Sequence, residues 1–200
     1  MKPSEHLSKQ DPVLGRIIGQ VELPDLPSSR GVYHDLVSCI VDQTVPSRSR
    51  GVYMRKLVGL LGGDQPDPNN IYTIQEDDWA IAKMANPKYH TLFRVTDWWH
   101  ETKVATWDWG SLSDQEVGDR LTAIKGIGPQ TADLILLYSL GRADVLPVND
   151  YHLKQIMPVL YDFDPEEKLP KQMLTVGEQW RPYRSVGTRY LLAYKSIMKR

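Results

Sequence analysis

The sequence predicts an all-α protein, and three observations support this prediction. Apolar residues recur mostly at helical spacing, and no stretch shows the sustained alternation of a half-buried strand. Glycines and prolines fall between the periodic segments, as expected of connecting loops. Ser113 and Glu116 have the spacing of a capping box, which predicts a helix that ends near Ala123. The predicted helices cover about residues 11–20, 33–44, 47–61, 76–84, 88–100, 113–123, 129–140, 150–158, 170–179 and 183–198.

Length and charge are those of an ordinary globular chain. Its 200 residues suffice for one domain, or for two small lobes that share a core. The net charge of -1 means that a nucleic-acid partner would have to be held by a local basic surface. Residues 45–63 and 181–200 contain basic residues and no acidic ones, although a solvated helix face would show the same pattern.

The single cysteine and the apolar pattern exclude several classes of protein. Cys39 alone forms no intramolecular disulfide, no four-cysteine zinc site and no four-cysteine iron–sulfur cluster. The longest apolar stretch, residues 134–140, is interrupted by Ser139 and is too short to span a bilayer. We therefore expect a soluble protein without a membrane partner, located in the cytoplasm with the nucleoid or, in a eukaryote, in the nucleus.

Residues 121–150, which read LTAIKGIGPQTADLILLYSLGRADVLPVND, carry the strongest local pattern. Gly126 and Gly128 flank Ile127 in a tight turn, and Pro129 suits the first position of the next helix. Backbone N–H groups near Gly126, Gly128 and Gln130 are then expected to point outward, where they could bind a phosphate. An ordinary helix connection without a ligand remains an alternative. A dinucleotide loop is disfavoured, because a helix and not a strand precedes the turn.

This segment resembles the helix-hairpin-helix superfamily of DNA base-excision glycosylases, in its 3-methyladenine DNA glycosylase II branch. The resemblance runs in order from about residue 33 to residue 195 and rests on three further motifs. These are the loop Ile40-Val41-Asp42-Gln43-Thr44, the run Leu146-Pro147-Val148-Asn149-Asp150, and the segment Trp180-Arg181-Pro182-Tyr183-Arg184-Ser185.

The resemblance implies a two-lobed helical fold with an active-site cleft between the lobes. Residues 33–110 would form a central lobe, and residues 1–32 with 111–200 a second lobe that carries the hairpin at 121–131. Such enzymes rotate the damaged nucleotide out of the duplex, and a protein wedge fills the gap. The resemblance implies DNA contacts by Lys125, Gly126, Gly128, Gln130, Thr131 and Arg48, and wedge candidates Gln43, Thr44, Val45 and Pro46.

Asp150 is the expected catalytic residue. Positive charge grows on the deoxyribose as the glycosidic bond breaks, and a fixed carboxylate stabilises that state more than the ground state. At about 4 Å and an effective dielectric constant of about 20, one such pair contributes roughly 4 kcal/mol. An ordinary helix N-cap is the alternative role for an aspartate at this position.

The resemblance also implies a base pocket formed by Tyr151, Gln130, Leu134, Tyr33 and Leu192. Relatives that excise alkylated bases often carry aromatic residues where this chain has Gln130, Leu134 and Leu192, so this pocket is expected to be less aromatic. Relatives that also nick the strand carry a lysine where this chain has Gln130, so no strand cleavage is expected. Main-chain carbonyls of Thr122, Ile124 and Ile127 correspond to the family's monovalent cation site, which would hold Na⁺ or K⁺.

The sequence thus predicts a monofunctional DNA glycosylase that hydrolyses the N-glycosidic bond of a damaged base, such as 3-methyladenine, in double-stranded DNA. It would act as a monomer, without a catalytic cofactor or an iron–sulfur cluster. Two alternatives stay open: a protein of the same fold that binds damaged DNA without excision, and a glycosylase for deaminated or mismatched bases.

Overall fold

The computed structural model describes residues 1–42, 51–81 and 86–198. Every regular element among these residues is helical, which confirms the all-α prediction. The α-helices are α1 (Pro3–Gln10), α2 (Pro12–Ile18), α3 (Val32–Asp42), α4 (Val52–Leu60), α5 (Glu76–Ile81), α6 (Asn86–Glu101), α7 (Asp114–Thr122), α8 (Pro129–Leu134), α9 (Tyr151–Leu160), α10 (Leu169–Glu178) and α11 (Arg184–Met198). Within the described ranges, no helix combines the length and apolarity that crossing a bilayer requires.

The helix predictions need one correction. Helix α1 was not predicted, because only Leu7 of its side chains is buried and the apolar pattern is therefore weak. Its first turn is instead stabilised by the backbone N–H of Lys2, which donates to Glu5 Oε2 at 3.0 Å. Helix α4 begins at Val52, directly after Gly51, which is left-handed with φ of 74°. Residues 47–50 of the predicted helix lie outside the described residues.

The chain forms two compact units, one of residues 1–27 with 136–200 and the other of residues 28–135. The predicted lobes grouped residues 111–135 with the C-terminal helices, whereas these units group them with residues 28–110. The hairpin and Asp150 thus belong to different compact units. The predicted lobes, residues 33–110 and residues 1–32 with 111–200, stay a prediction.

The unit of residues 1–27 and 136–200 is organised around the buried carboxylate of Asp11. Trp180 Nε1 and the hydroxyl of Tyr161 each donate to Asp11 Oδ2 at 2.7 Å. The other oxygen, Oδ1, caps α2 by accepting from the backbone N–H groups of Val13 and Leu14 at 2.9 and 3.0 Å. One buried aspartate therefore ties the start of α2 to the ends of α9 and α10.

Trp180 occupies the centre of this unit and is fully buried. A β-carbon on Gly187 of α11 would lie 2.9 Å from the Trp180 ring, so only glycine allows this approach. The buried side chains around Trp180 are Leu7, Leu14, Ile17, Leu146, Leu153, Ile156, Met157, Met173, Tyr190 and Leu191.

The unit of residues 28–135 buries apolar faces of α3, α6 and α7. Tyr33 of α3 lies within it, and its hydroxyl pairs with the Thr96 hydroxyl at 2.7 Å. Burial raises the pKa of Tyr33 far above its ordinary value. The large buried side chains of this unit include Leu36, Ile40, Leu57, Ile71, Trp79, Leu92, Val95, Val117 and Leu121.

Candidate functional site

Helices α7 and α8 form the predicted helix-hairpin-helix. The capping box is present: Ser113 N donates to Glu116 Oε2 at 2.8 Å, and Glu116 N donates to Ser113 Oγ at 3.2 Å. The turn between the helices is closed by Ile127 N, which donates to the carbonyl of Ile124 at 2.9 Å. Gly128 is the N-cap of α8. These contacts, all between residues close in sequence, fix the start of α7 and the turn that leads to α8.

Helix α6 fixes the conformation of the hairpin turn. Gly126 has φ of 108°, and a β-carbon there would lie 2.4 Å from Thr91 Oγ1. Arg94 Nη1 donates to the carbonyl of Lys125 at 3.0 Å. The turn is therefore held against α6 by a contact that only glycine permits and by a charge-assisted hydrogen bond.

The exposed face of the turn presents backbone donors. Within the described residues, no backbone acceptor pairs with the N–H groups of Gly126, Gly128 or Gln130. The side chains of Lys125 and Gln130 are exposed beside them. Thr131 differs, because its side chain is buried and its N–H donates to the carbonyl of Gly128 at 3.0 Å. Unpaired N–H groups beside a lysine can bind an anion.

Asp150 is the N-cap of α9, and it uses a single carboxylate oxygen for this role. Oδ1 accepts from the backbone N–H of His152 at 2.8 Å and of Leu153 at 2.9 Å. Oδ2 receives no hydrogen bond from any described residue. Since the side chain is partly exposed, a fixed and negatively charged oxygen is left available.

Arg184 and Ser185 anchor the loop that leads to Asp150. Arg184 Nε and Nη2 donate to the two carboxylate oxygens of Asp144 at 2.8 and 3.1 Å, and Nη2 also reaches the Asp144 carbonyl at 2.8 Å. Ser185 Oγ donates to the carbonyl of Arg142 at 2.6 Å and accepts from Val145 N at 2.9 Å. Two residues of the Trp180–Ser185 segment, Arg184 and Ser185, thus have a structural role that the sequence resemblance did not supply.

The ion pair with Arg184 also affects the protonation of Asp144. Burial acts to raise the pKa of Asp144, but the hydrogen bonds and charge of Arg184 outweigh it and hold the pKa below its ordinary value. Asp144 therefore stays ionised and keeps its contacts with Arg184 at neutral pH.

Tyr138 interacts electrostatically with Asp150 and was not predicted as a site residue. It belongs to a π-helical turn, Ile135–Ser139, that continues from α8. Burial raises the pKa of Tyr138, the charge of Asp150 raises it further, and Arg189 opposes them. A tyrosine within the apolar run 134–140 was the only sequence signal for it.

Tyr151 presents an exposed ring next to Asp150. Its side chain is 63% exposed, and the ammonium of Lys195 lies 5.6 Å from the ring centroid. Lys195 itself is buried, and its Nζ donates to the carbonyl of His152 at 3.1 Å and to the side chain of Gln155. Lys195 also escaped the sequence analysis, because it is distant in sequence from Asp150 and Tyr151.

Comparisons with known proteins find relatives that are named DNA-3-methyladenine glycosylases. No protein-family model matches the chain. The chain is 22% identical over 166 residues to YfjP of Bacillus subtilis, which is provisionally named a DNA-3-methyladenine glycosylase, with 80% of this chain and 58% of that protein aligned. It is 24% identical over 163 residues to DNA-3-methyladenine glycosylase 1 of Schizosaccharomyces pombe, with 80% of this chain and 70% of the relative aligned.

Solved structures share the fold over the whole chain. The DNA-3-methyladenine glycosidase of Bacillus halodurans is 26% identical, with a TM-score of 0.82 over 100% of this chain and 92% of that one. The chain is therefore similar in sequence and fold to helix-hairpin-helix DNA glycosylases of the 3-methyladenine branch, as the sequence predicted. An 8-oxoguanine glycosylase/lyase of Clostridium acetobutylicum, 20% identical with a TM-score of 0.81 over 99% of this chain and 70% of that one, shares the fold.

The structure places the remaining predicted site residues in different environments. Gln130 is exposed, Leu134 and Leu192 are partly buried, and Tyr33 is buried beside Thr96. Their roles in a base pocket stay predictions. Gln43, Thr44, Val45, Pro46 and Arg48, the predicted wedge and backbone contacts, lie outside the described residues.

The hairpin carbonyls that the sequence predicted to bind a monovalent cation have free acceptor capacity. Within the described residues, no backbone N–H donates to the carbonyls of Thr122 or Ile127, and the Ile124 carbonyl accepts one hydrogen bond. A carbonyl oxygen has two lone pairs, so all three oxygens retain the capacity to coordinate a cation. No cluster of His, Cys, Asp and Glu side chains in the described ranges has the arrangement of a metal site.

Proposed function

We propose that this protein is a DNA glycosylase that releases a damaged purine, in particular an alkylated one, from double-stranded DNA. The chain spans 58% of the length of one relative and 70% of another, and both relatives are named for 3-methyladenine glycosylase activity. The observation that carries the proposal is Asp150, whose Oδ1 is fixed by two backbone N–H groups. Its second oxygen is left to face a substrate.

The proposed reaction breaks the bond between the sugar C1′ and the base nitrogen. The bonding electrons leave with the base, and positive charge develops on the deoxyribose. Asp150 stabilises that charge. Its carboxylate is preorganised, because the backbone N–H groups of His152 and Leu153 hold it in place before the reaction begins. Water then adds to C1′ and loses a proton, which gives an abasic site.

The hairpin is proposed to bind a backbone phosphate. The N–H groups of Gly126, Gly128 and Gln130 and the ammonium of Lys125 supply donors and positive charge. A monovalent cation on the carbonyls of Thr122, Ile124 and Ile127 would add positive charge at this turn. DNA is the only macromolecular partner that the proposal requires, and we propose that the protein acts on it as a monomer.

We further propose that the protein does not nick the strand. Strand cleavage by a Schiff base needs an amine that attacks C1′, and the amide of Gln130 is not nucleophilic. Reduction with borohydride during the reaction tests this point, because it traps a Schiff base covalently. We expect free base and intact abasic strand without a trapped complex.

The central test is single-turnover release of base from a duplex with one N-methylated purine. Asp150→Asn is the informative variant, because the asparagine oxygen still caps α9 while the negative charge is removed. Loss of one pair of about 4 kcal/mol corresponds to roughly 10³-fold slower release, with little change in thermal stability. Full activity of Asp150→Asn would assign the chemistry to another residue.

A second candidate function is recognition of damaged DNA without excision. It is favoured by Gln130, which is exposed and non-aromatic at a position where alkylbase glycosylases often carry an aromatic residue. Tight binding of damaged duplex by the wild-type protein without any release of base would establish this function instead.

A further inference from the structure

Lys195 and Tyr151 form a cation–π pair beside Asp150. The ammonium lies 5.6 Å from the centroid of the Tyr151 ring. Lys195 is only 7% exposed, and its Nζ contacts the carbonyl of His152 at 3.1 Å and the amide side chain of Gln155. Two oxygen acceptors on α9 therefore hold the positive charge close to the ring.

Only part of the Tyr151 ring is used by this contact. The residue is 63% exposed, and its aromatic neighbour His152 meets it edge-on, with ring centroids 5.3 Å apart and an interplanar angle of 72°. The ring therefore retains an open surface on which a planar base can stack.

A ring that already binds one cation attracts a second one less well. The negative charge of an aromatic face arises from its quadrupole, and Lys195 draws on that quadrupole from one side. A positively charged base stacked on the open surface also meets direct repulsion from the ammonium. A neutral base is affected by neither the weaker attraction nor the repulsion, because its stacking depends on dispersion and burial.

We propose that Lys195 is a specificity-determining residue that lowers the protein's preference for cationic, N-methylated purines over neutral damaged purines. The inference rests on the proposed function and on the sequence prediction that Tyr151 lines the pocket of the extruded base.

The test compares the protein's preference between two bases. One duplex carries 7-methylguanine, which is cationic in DNA, and the other carries hypoxanthine, which is neutral; a 2′-fluoro sugar makes both resistant to cleavage. Equilibrium binding gives a ratio of affinities, in which general losses of stability or DNA affinity cancel. Lys195→Met is expected to raise the ratio of cationic to neutral binding about three- to tenfold.

Two further variants separate charge from packing. Lys195→Gln removes the charge but keeps donors for the His152 carbonyl and Gln155, and it should raise the ratio as Lys195→Met does. Lys195→Arg retains the charge and should leave the ratio within about twofold of wild type. An unchanged ratio in both neutral variants, or an equal rise in Lys195→Arg, would overturn the proposal.

Base release from the corresponding unmodified sugars is measured in parallel. Absence of release by the wild-type protein would refute the proposed glycosylase activity, whereas the binding ratio would still decide the role of Lys195. The two failures are therefore distinguishable.

Discussion

The side chain of Arg184 holds Asp144 with three donated hydrogen bonds, two to the carboxylate and one to the backbone carbonyl. Because Asp144 lies in the loop that precedes Asp150, this pair anchors the segment on which the proposed chemistry depends. The Arg184 side chain is 14% exposed, so the pair is shielded from most of the solvent.

Replacement of Arg184 by lysine should destabilise this loop. Lysine keeps the charge but loses the two-pronged geometry, and we expect a loss of about 1–3 kcal/mol in the free energy of unfolding. Arg181→Lys is the matched control, because Arg181 contacts the same Asp144 but is 49% exposed, and its loss should stay below about 1 kcal/mol. Urea denaturation measures both, and equal losses would contradict the role assigned to Arg184.

Alanine at Gly126 should disrupt the hairpin. The left-handed backbone and the 2.4 Å approach of a β-carbon to Thr91 Oγ1 both oppose it. Together they are expected to destabilise the protein by about 2–4 kcal/mol and to weaken DNA binding. Gly128→Ala is the control: φ is -103° and no atom lies within 4 Å of the added carbon, so stability should fall by about 1 kcal/mol at most. Comparable destabilisation by the two substitutions would refute this argument.

Asp133 of α8 should make stability depend on pH. Burial raises its pKa from 3.8 to about 6, so ionisation is disfavoured in the folded protein. The folded state then binds more protons than the unfolded state between these values, and stability falls as pH rises through this window. Protonated Asp133 therefore contributes its full stabilisation below this pH window, and the contribution is absent above it.

Asp133→Asn removes this ionisation. Because the carboxylate is partly exposed, we expect the variant to be more stable than wild type by about 1–2 kcal/mol at about pH 8, and the gain to disappear near about pH 4. Thermal unfolding at the two pH values provides the measurement. A gain of equal size at both values would indicate a packing effect and not an ionisation.

Lys125 should contribute one phosphate contact. Its replacement by methionine is expected to lower the slope of log affinity against log salt concentration by about one unit. Lys171→Met is the charge-matched control, since that ammonium already pairs with Glu167 at 3.5 Å. If the Lys125 variant retains the wild-type slope, Lys125 does not contact the backbone.

Sequence reasoning predicted local features better than distant ones. The capping box at Ser113, the glycine turn at Gly126 and the cap at Asp150 are encoded within a few residues, and each is present. The α7–α8 hairpin follows from these signals.

The missed features depend on tertiary contacts or on small changes in helix geometry. Lys195 meets Tyr151 only after α11 packs beside α9, and nothing near either residue indicates this. Tyr138 reaches the surroundings of Asp150 from a π-helical turn, whereas the apolar run predicted a regular α-helix. The role of Arg184 also required the structure, because its partner Asp144 is 40 residues away.

The division of labour between the two oxygens of Asp150 has an evolutionary consequence. One oxygen caps a helix and the other is proposed to act in the chemistry, so a single change of aspartate to asparagine should slow base release about 10³-fold while leaving α9 capped. A lineage could thereby exchange a repair enzyme for a lesion-marking protein in one step, with no intermediate that fails to fold. Natural descendants with asparagine at this position would be candidates for such markers.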